Sequence, residues 1–453
     1  MGLTKVTHAG NGADRALSFK RVLSSAAIGQ FVEWYDFVVY AYSAATIAKL
    51  FFPAGDPAIA ILATFAIYSV GFLARPVGGY VFGTLGDRIG RRRVLSVVIL
   101  LMGAATVGIG LLPTYSQVGI LAPLLLIACR LLQGLSAAGE TVSSNSFVAE
   151  HAPPDHRGRF VSFTYSFSTL APVAAAVVVY AFSNGLSPED YESWGWRVPF
   201  LLGGPLALIG IYIRRIVDES PAFERAVAAE GIPTSPLREA ATTQTSAMLR
   251  AFALAAFSAV GFYSLSGYFV TYLVETGLSR ADALLSNGIA MLVSFFSFWV
   301  GGELSDRFGR KPVVLFTIVL SIILTVPAFM LASSASFEMA LLGQALLAVD
   351  YGLFWGAFGI AVVEMFPTRT RVTGATMSFN ISYTIFGGTA PFIGTWLLLR
   401  TGNQLSPAYY MIAVAAMALF AAVRMRETAH APLQRGAATH GAGLHDASDA
   451  APG

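Results

Sequence analysis

The chain has 453 residues, 55% of them hydrophobic and 12% charged, with a mean hydropathy of +0.64. Soluble domains carry about a quarter charged residues, so this composition leaves too little polar surface to keep so long a chain in water. A formal net charge of +3, with no basic patch interleaved with aromatics, gives nucleic acid no footing. The single cysteine, Cys129, excludes a disulfide framework, a zinc ribbon and an iron–sulfur cluster.

Residues 1–21 are polar and read as a cytoplasmic N-terminal segment without a cleaved signal peptide. Twelve apolar runs follow, each near the roughly 20 residues that a membrane helix needs: 22–48, 58–84, 93–113, 118–146, 158–183, 195–217, 248–275, 283–304, 312–334, 338–364, 371–399 and 406–424. Backbone amides in hydrocarbon must be satisfied within the segment, so runs this long are helices. The polar stretch 218–247 divides them six and six, giving an amino-terminal bundle over 22–217 and a carboxyl-terminal bundle over 248–424. Residues 425–453, rich in Ala, Gly, His and Asp, lack a helical period and read as a disordered cytoplasmic tail.

The basic residues orient these spans. Of 29 Lys and Arg, only Lys49, Arg197, Arg280 and Arg400 fall near one face, while Arg75 and Arg130 lie inside spans. All the others share the face of the two termini, which is therefore expected to be cytoplasmic.

An internal repeat follows span 2 and span 8. Gly83-x-x-x-Asp87-Arg88-x-Gly90-Arg91-Arg92 returns as Gly302-x-x-x-Asp306-Arg307-x-Gly309-Arg310-Lys311. A second pair, Glu150-x-x-Pro153-x-x-x-Arg157 and Glu364-x-x-Pro367-x-x-x-Arg371, accompanies it. Both copies lie on one side, so the two six-helix bundles are parallel repeats with a solute path between them. A carboxylate at a helix end accepts hydrogen bonds from a neighbouring helix N-terminus and from Arg. Gly83, Asp87, Arg88, Arg91, Glu150, Arg157, Asp306, Arg307, Arg310, Glu364 and Arg371 are thus expected to form a latch, not a solute site. On the sequence alone, Asp306→Asn is expected to slow transport no more than Asp87→Asn does.

The duplicated loop resembles the signature of the major facilitator superfamily. Glu33-Trp34-Tyr35-Asp36, Ala74-Arg75-Pro76, Arg130-Leu-Leu-Gln133-Gly134, Trp194-Gly-Trp196-Arg197-Val-Pro199-Phe200 and Glu219-Ser-Pro221-Ala-Phe223 narrow the likeness. Together they resemble the metabolite:proton symporters, whose members carry 2-oxoglutarate, citrate, shikimate or proline/betaine. The resemblance implies solute uptake with protons through the bacterial inner membrane, by a monomer.

Ionisable residues deep in a span are functional candidates by default. Glu33 and Asp36 lie three apart on span 1, hence on one helical face, at roughly 18 and 22 Å from the basic side by helix rise. Arg75, at roughly 15 Å, and Arg130, at roughly 24 Å, overlap them in depth. Glu33, Asp36 and, in the second half, Asp350 are candidate proton carriers. Arg75 and Arg130 are candidate solute ligands, Arg130 by bidentate clamping, with Tyr35, Gln133, Tyr263, Tyr268 and Asn380 completing the site. Ser136 stands where Asp350 would repeat, so the halves are not equivalent.

The sequence holds no phosphate-binding loop, and every histidine lies outside the spans. An ATP-driven pump and a membrane enzyme therefore lack their machinery, and neither catalytic residue, cofactor nor metal is expected. The expected function is proton-coupled uptake of a small organic metabolite by alternating access. A carboxylate anion stands first, a zwitterionic osmolyte second and a drug/proton antiporter third.

Overall fold

The computed structural model describes residues 12–52, 57–215, 228 and 235–433. Residues 1–11, most of the 218–247 loop with Glu219, Pro221 and Phe223, the tail beyond residue 433 and the Arg91 side chain lie outside the described residues.

Among the described residues the secondary structure is wholly helical. Nine helices among these residues are long and apolar enough to cross a membrane: Arg92–Leu111, Leu121–His151, Pro154–Gly185, Gly195–Ile213, Thr245–Glu275, Asp282–Phe308, Arg310–Ala332, Phe337–Glu364 and Ser406–Val423. In the order of the expected runs these are spans 3 to 10 and span 12. The other three carry irregular backbone or buried charge. Span 1 is Gly12–Tyr42, made less apolar by Glu33 and Asp36, and is followed by Ala44–Phe51. Span 2 is divided into Pro57–Leu73 and Arg75–Ile89. Span 11 is Arg371–Ser382, a π-helical turn at Tyr383–Gly387, and Ala390–Thr401. The twelve spans form two parallel six-helix bundles, which meet where span 2 packs along span 11 and span 5 along span 8.

The breaks have local causes with distant consequences. Pro76 has no N–H to give the carbonyl four residues back, which is that of Phe72. The hydroxyl of Thr384 on span 11 claims that carbonyl at 2.8 Å. Span 4 is broken at Ala138–Gly139, and the Ala138 carbonyl accepts from Asn380 Nδ2 of span 11 at 2.9 Å. Irregular backbone at membrane depth is tolerated where protein satisfies it. Here both breaks are satisfied across the seam between bundles.

Glycine permits the close approaches. A Cβ on Gly134 would lie 1.8 Å from the Gly71 carbonyl oxygen, so spans 2 and 4 touch backbone to backbone. In the duplicated loops, Gly90 and Gly309 adopt φ near 100° and 101°, a region that L side chains avoid. Outward, Leu100, Phe316, Ile323, Phe392 and Phe420 are exposed, as an apolar solvent allows.

Candidate functional site

Two polar clusters lie on the seam, one at the centre and one on the face of the duplicated loops. At the centre, Pro76 places Arg75 at the break of span 2, buried to 1% exposure. Its Nη2 stands 4.0 Å from Glu33 Oε1, while Thr141 donates to Glu33 Oε2 at 2.7 Å. Arg75 Nε and Nη2 have no hydrogen-bond acceptor. The guanidinium instead lies over Phe37 at 4.7 Å, Phe72 at 5.0 Å and Tyr383 at 6.0 Å. Tyr263 closes this ring of aromatics, 5.4 Å from Phe72 and 6.2 Å from Tyr383, with its hydroxyl unpartnered. The Tyr383 hydroxyl meets Ser258 Oγ at 2.9 Å, and Trp355 Nε1 donates to the same oxygen.

Arg130 is placed differently. Nη1 donates to Gln133 Oε1 at 2.8 Å and Nη2 to the Tyr68 carbonyl at 3.2 Å, while Gln133 donates onward to Thr106. Its rings are Phe37, Tyr40 and Tyr68, all from the amino-terminal bundle. Asp36 is fully buried beside Thr106, with neither oxygen in hydrogen-bond geometry, and feels Arg130 through space. Glu140 is buried close to Glu33. Sequence depth thus anticipated the gathering of Glu33, Asp36, Arg75 and Arg130. It did not anticipate the pairing of Glu33 with Arg75 and of Asp36 with the Arg130 side.

Several other candidates sit away from this centre. The Tyr35 hydroxyl is committed to the Pro199 carbonyl at 2.9 Å, tying span 1 to span 6. Tyr268 packs on Gly394 of span 11. Asn380 uses its amide nitrogen to tie the bundles, leaving Oδ1 without a partner. Asp350, fully buried, lies beside Ser321 of span 9, and span 9 packs on spans 8, 10 and 12 of its own half. Asp350 therefore does not join the central carboxylates, because its position on span 10 turns it away from the seam. Residues that the sequence reading missed are Phe37, Phe72, Thr141 and Thr384. The Pro76 effect on Phe72 was the one signal available for them.

On the loop face, Asp87 accepts from the N–H groups of Val372 at 3.3 Å and Thr373 at 2.8 Å, at the start of span 11. Asp306 accepts from Gly158 at 2.9 Å and Arg159 at 2.8 Å, at the start of span 5, and pairs with Arg310 at 2.7 Å. Each Asp caps a helix of the opposite bundle. The Glu–Arg pairs are exchanged in the same way, Arg371 with Glu150 at 2.7 Å and Arg157 with Glu364 at 3.7 Å. Gly83 and Gly302 are the contact points, a Cβ there falling 3.0 Å from Thr373 Cα and 1.9 Å from Ser162 Oγ.

Arg307 needs correction as a member of this network. It is exposed and lies over Phe308 at 5.3 Å. One residue along a helix turns roughly 100°, so Arg307 points outward while Arg310, four residues on from Asp306, returns to the Asp306 face.

The segment after span 12 adds contacts not foreseen from sequence. Glu427 accepts from the N–H groups of Arg310 and Lys311, Thr428 donates to Glu364, and the Ala431 carbonyl accepts from Arg157 of the other bundle. Residues 425–433, read as part of a disordered tail, are thus a strap across the loop face.

Comparison with known proteins agrees with this architecture. The family described as "Sugar (and other) transporter" matches residues 22–232 and 224–437. The chain is 37% identical over 426 residues to the proline/betaine transporter of Escherichia coli (strain K12), covering 92% of this chain and 85% of that protein. It is 37% identical over 441 residues to the glycine betaine/proline/ectoine/pipecolic acid transporter OusA of Dickeya dadantii (strain 3937), covering 95% and 87%. Among solved structures, the major facilitator superfamily proton:xylose symporter XylE bound to 6-bromo-6-deoxy-D-glucose superposes with a TM-score of 0.77 at 18% identity, covering 93% of this chain and 98% of that one. The chain belongs to the sugar (and other) transporter family and has the fold of the major facilitator superfamily: it is a membrane transporter, not an enzyme.

Proposed function

We propose that this chain takes up a zwitterionic osmolyte of the proline/betaine kind together with protons, by alternating access across the bacterial inner membrane with both termini cytoplasmic. The observation that carries the reading is the buried Arg75 guanidinium, with Nε and Nη2 free of acceptors and the ring faces of Phe37, Phe72 and Tyr383 around it. Free guanidinium donors suit a carboxylate and ring faces suit an ammonium group, and a zwitterion carries both. The relatives' names support the same choice and move the weight from the carboxylate anion favoured on sequence to the osmolyte.

Glu33 is the favoured coupling carboxylate because Arg75 is close yet not bonded to it. Displacement of Arg75 toward a solute carboxylate strips Glu33 of its cation and favours protonation, and the return of Arg75 favours release. The two Asp-capped helix ends are latches that form when the cytoplasmic face closes, and a monomer contains the whole cycle.

Purified protein in proteoliposomes tests this with labelled proline, glycine betaine and 2-oxoglutarate, with and without an inward proton gradient. The expected result is gradient-driven accumulation of proline or betaine and none of 2-oxoglutarate. Glu33→Gln should lose accumulation but keep exchange of labelled for unlabelled solute. Accumulation retained in Glu33→Gln, in Asp36→Asn and in the double variant would move coupling elsewhere.

A further inference from the structure

The Arg75 guanidinium is a buried cation held by ring faces. With Nε and Nη2 unpartnered and the Glu33 oxygen 4.0 Å away, its surroundings at 4.7–6.0 Å are the faces of Phe37, Phe72 and Tyr383. Leaving buried donors unmade is costly, whereas an aromatic cage is a favourable seat for a weakly hydrated cation. The cage is also where a solute must pass. Phe37 and Phe72 come from spans 1 and 2, and Tyr383 from span 11, with Tyr263 of span 7 behind them, so both bundles build it. Arg130, by contrast, sits among rings of one bundle and is bonded to Gln133 and Tyr68.

We infer that the ring of Phe37, Phe72 and Tyr383, now occupied by Arg75, is the seat of the solute's ammonium group, and that Arg75 vacates it to bind the solute's carboxylate. This deepens, and rests on, the proposed uptake of a zwitterion. Arg75 is the occupant of the empty carrier: it keeps the cage filled with positive charge when no solute is present. A quaternary ammonium cannot donate a hydrogen bond, so ring faces are what can read its charge. On exchange, the guanidinium turns its two free N–H groups to a carboxylate, the geometry it pairs with best. One move thereby fills the cage, satisfies Arg75 and withdraws the cation from Glu33. The seam has little room in this conformation, with Trp34 against Phe262 at 4.2 Å and the Thr384 hydroxyl on the Phe72 carbonyl. Solute entry therefore parts span 11 from span 2.

The test uses glycine betaine and 3,3-dimethylbutanoate, which has the same shape and carboxylate but carbon in place of the quaternary nitrogen. In proteoliposomes, betaine should compete for uptake of labelled betaine at least tenfold better than the carbon isostere. Phe72→Leu should lower betaine affinity about tenfold and erase the preference, while Phe72→Tyr, which keeps a ring face, should retain both. Equal competition by the isostere, or unchanged betaine affinity and preference in Phe72→Leu, would overturn the cage while leaving zwitterion uptake intact. Failure of the wild-type protein to take up betaine or proline at all would overturn both. Retained affinity in Phe72→Tyr beside its loss in Phe72→Leu separates a lost ring face from a misfolded protein.

Discussion

The two copies of the duplicated loop place one chemistry at two sites that pack with unequal closeness. Asp87 caps span 11 through two backbone N–H groups. Asp306 caps span 5 in the same way and also holds Arg310, which reaches Glu364, which in turn receives Thr428 of the strap. Duplication therefore sets the capping geometry. Span 12 ends beside the start of span 9, and the residues that follow it bind the second copy.

The largest test of that inequality lies in the glycines. A Cβ at Gly302 would lie 1.9 Å from Ser162 Oγ and 2.6 Å from the Gly158 carbonyl oxygen, whereas at Gly83 it would lie 3.0 Å from Thr373 Cα. Overpacking costs about 1–3 kcal/mol, so Gly302→Ala should shift the closed population by tenfold or more and Gly83→Ala by less. Spin-label distances across the loop face, measured in both variants, report this directly. Equal opening in the two would break the comparison.

Next come the carboxylates. Asp306→Asn and Asp87→Asn each remove the charge from a cap on a helix of the opposite bundle. Hydrogen bonds to charged groups contribute about 1.5–3 kcal/mol, so both variants should slow net transport while leaving solute affinity within about threefold. Comparable slowing is expected for the two, which keeps within the order expected from sequence. Loss of equilibrium binding at normal turnover in either variant would count against a latch.

What was legible in the sequence follows the same division between repeated and unique features. Asp87 and Asp306 could be read because spacing and repetition encode a helix end and a cap. The depth of Glu33, Asp36, Arg75 and Arg130 followed from helix rise alone. The cage did not, because Phe is abundant on lipid-facing and buried surfaces alike, and no period marks Phe37 or Phe72 as facing a cation. Tyr35 and Asp350 were misplaced for a related reason. Which face of a span looks at the seam depends on its neighbours: span 6 takes Tyr35 and span 9 takes Asp350. The outward turn of Arg307 was within reach of helical geometry.

The smallest expected effect belongs to the strap, which ends on the second copy of the loop. Burial pushes the Glu427 carboxyl up, but the N–H groups of Ala429, Arg310, Lys311 and Thr428 together outweigh it and hold it below the usual carboxylate range. A depressed carboxylate contributes stability that is complete above its unfolded value of about 4.3 and is lost as pH falls through the folded value. The side chain is exposed, so solvent screening limits the contribution to about 1 kcal/mol or less. Glu427 anchors the strap to span 9, and the Ala431 carbonyl carries it across to Arg157. Acidification from pH 6 toward pH 3.5 should therefore lower the Tm of the wild-type protein in detergent more than that of Glu427→Gln. The gap between the two at pH 6 should close at the acid end. The same titration on Asp306→Asn, with Glu427 intact, separates the strap from the latch it supports. A gap that persists unchanged to pH 3.5 would mean that Glu427 acts through its shape and not its charge.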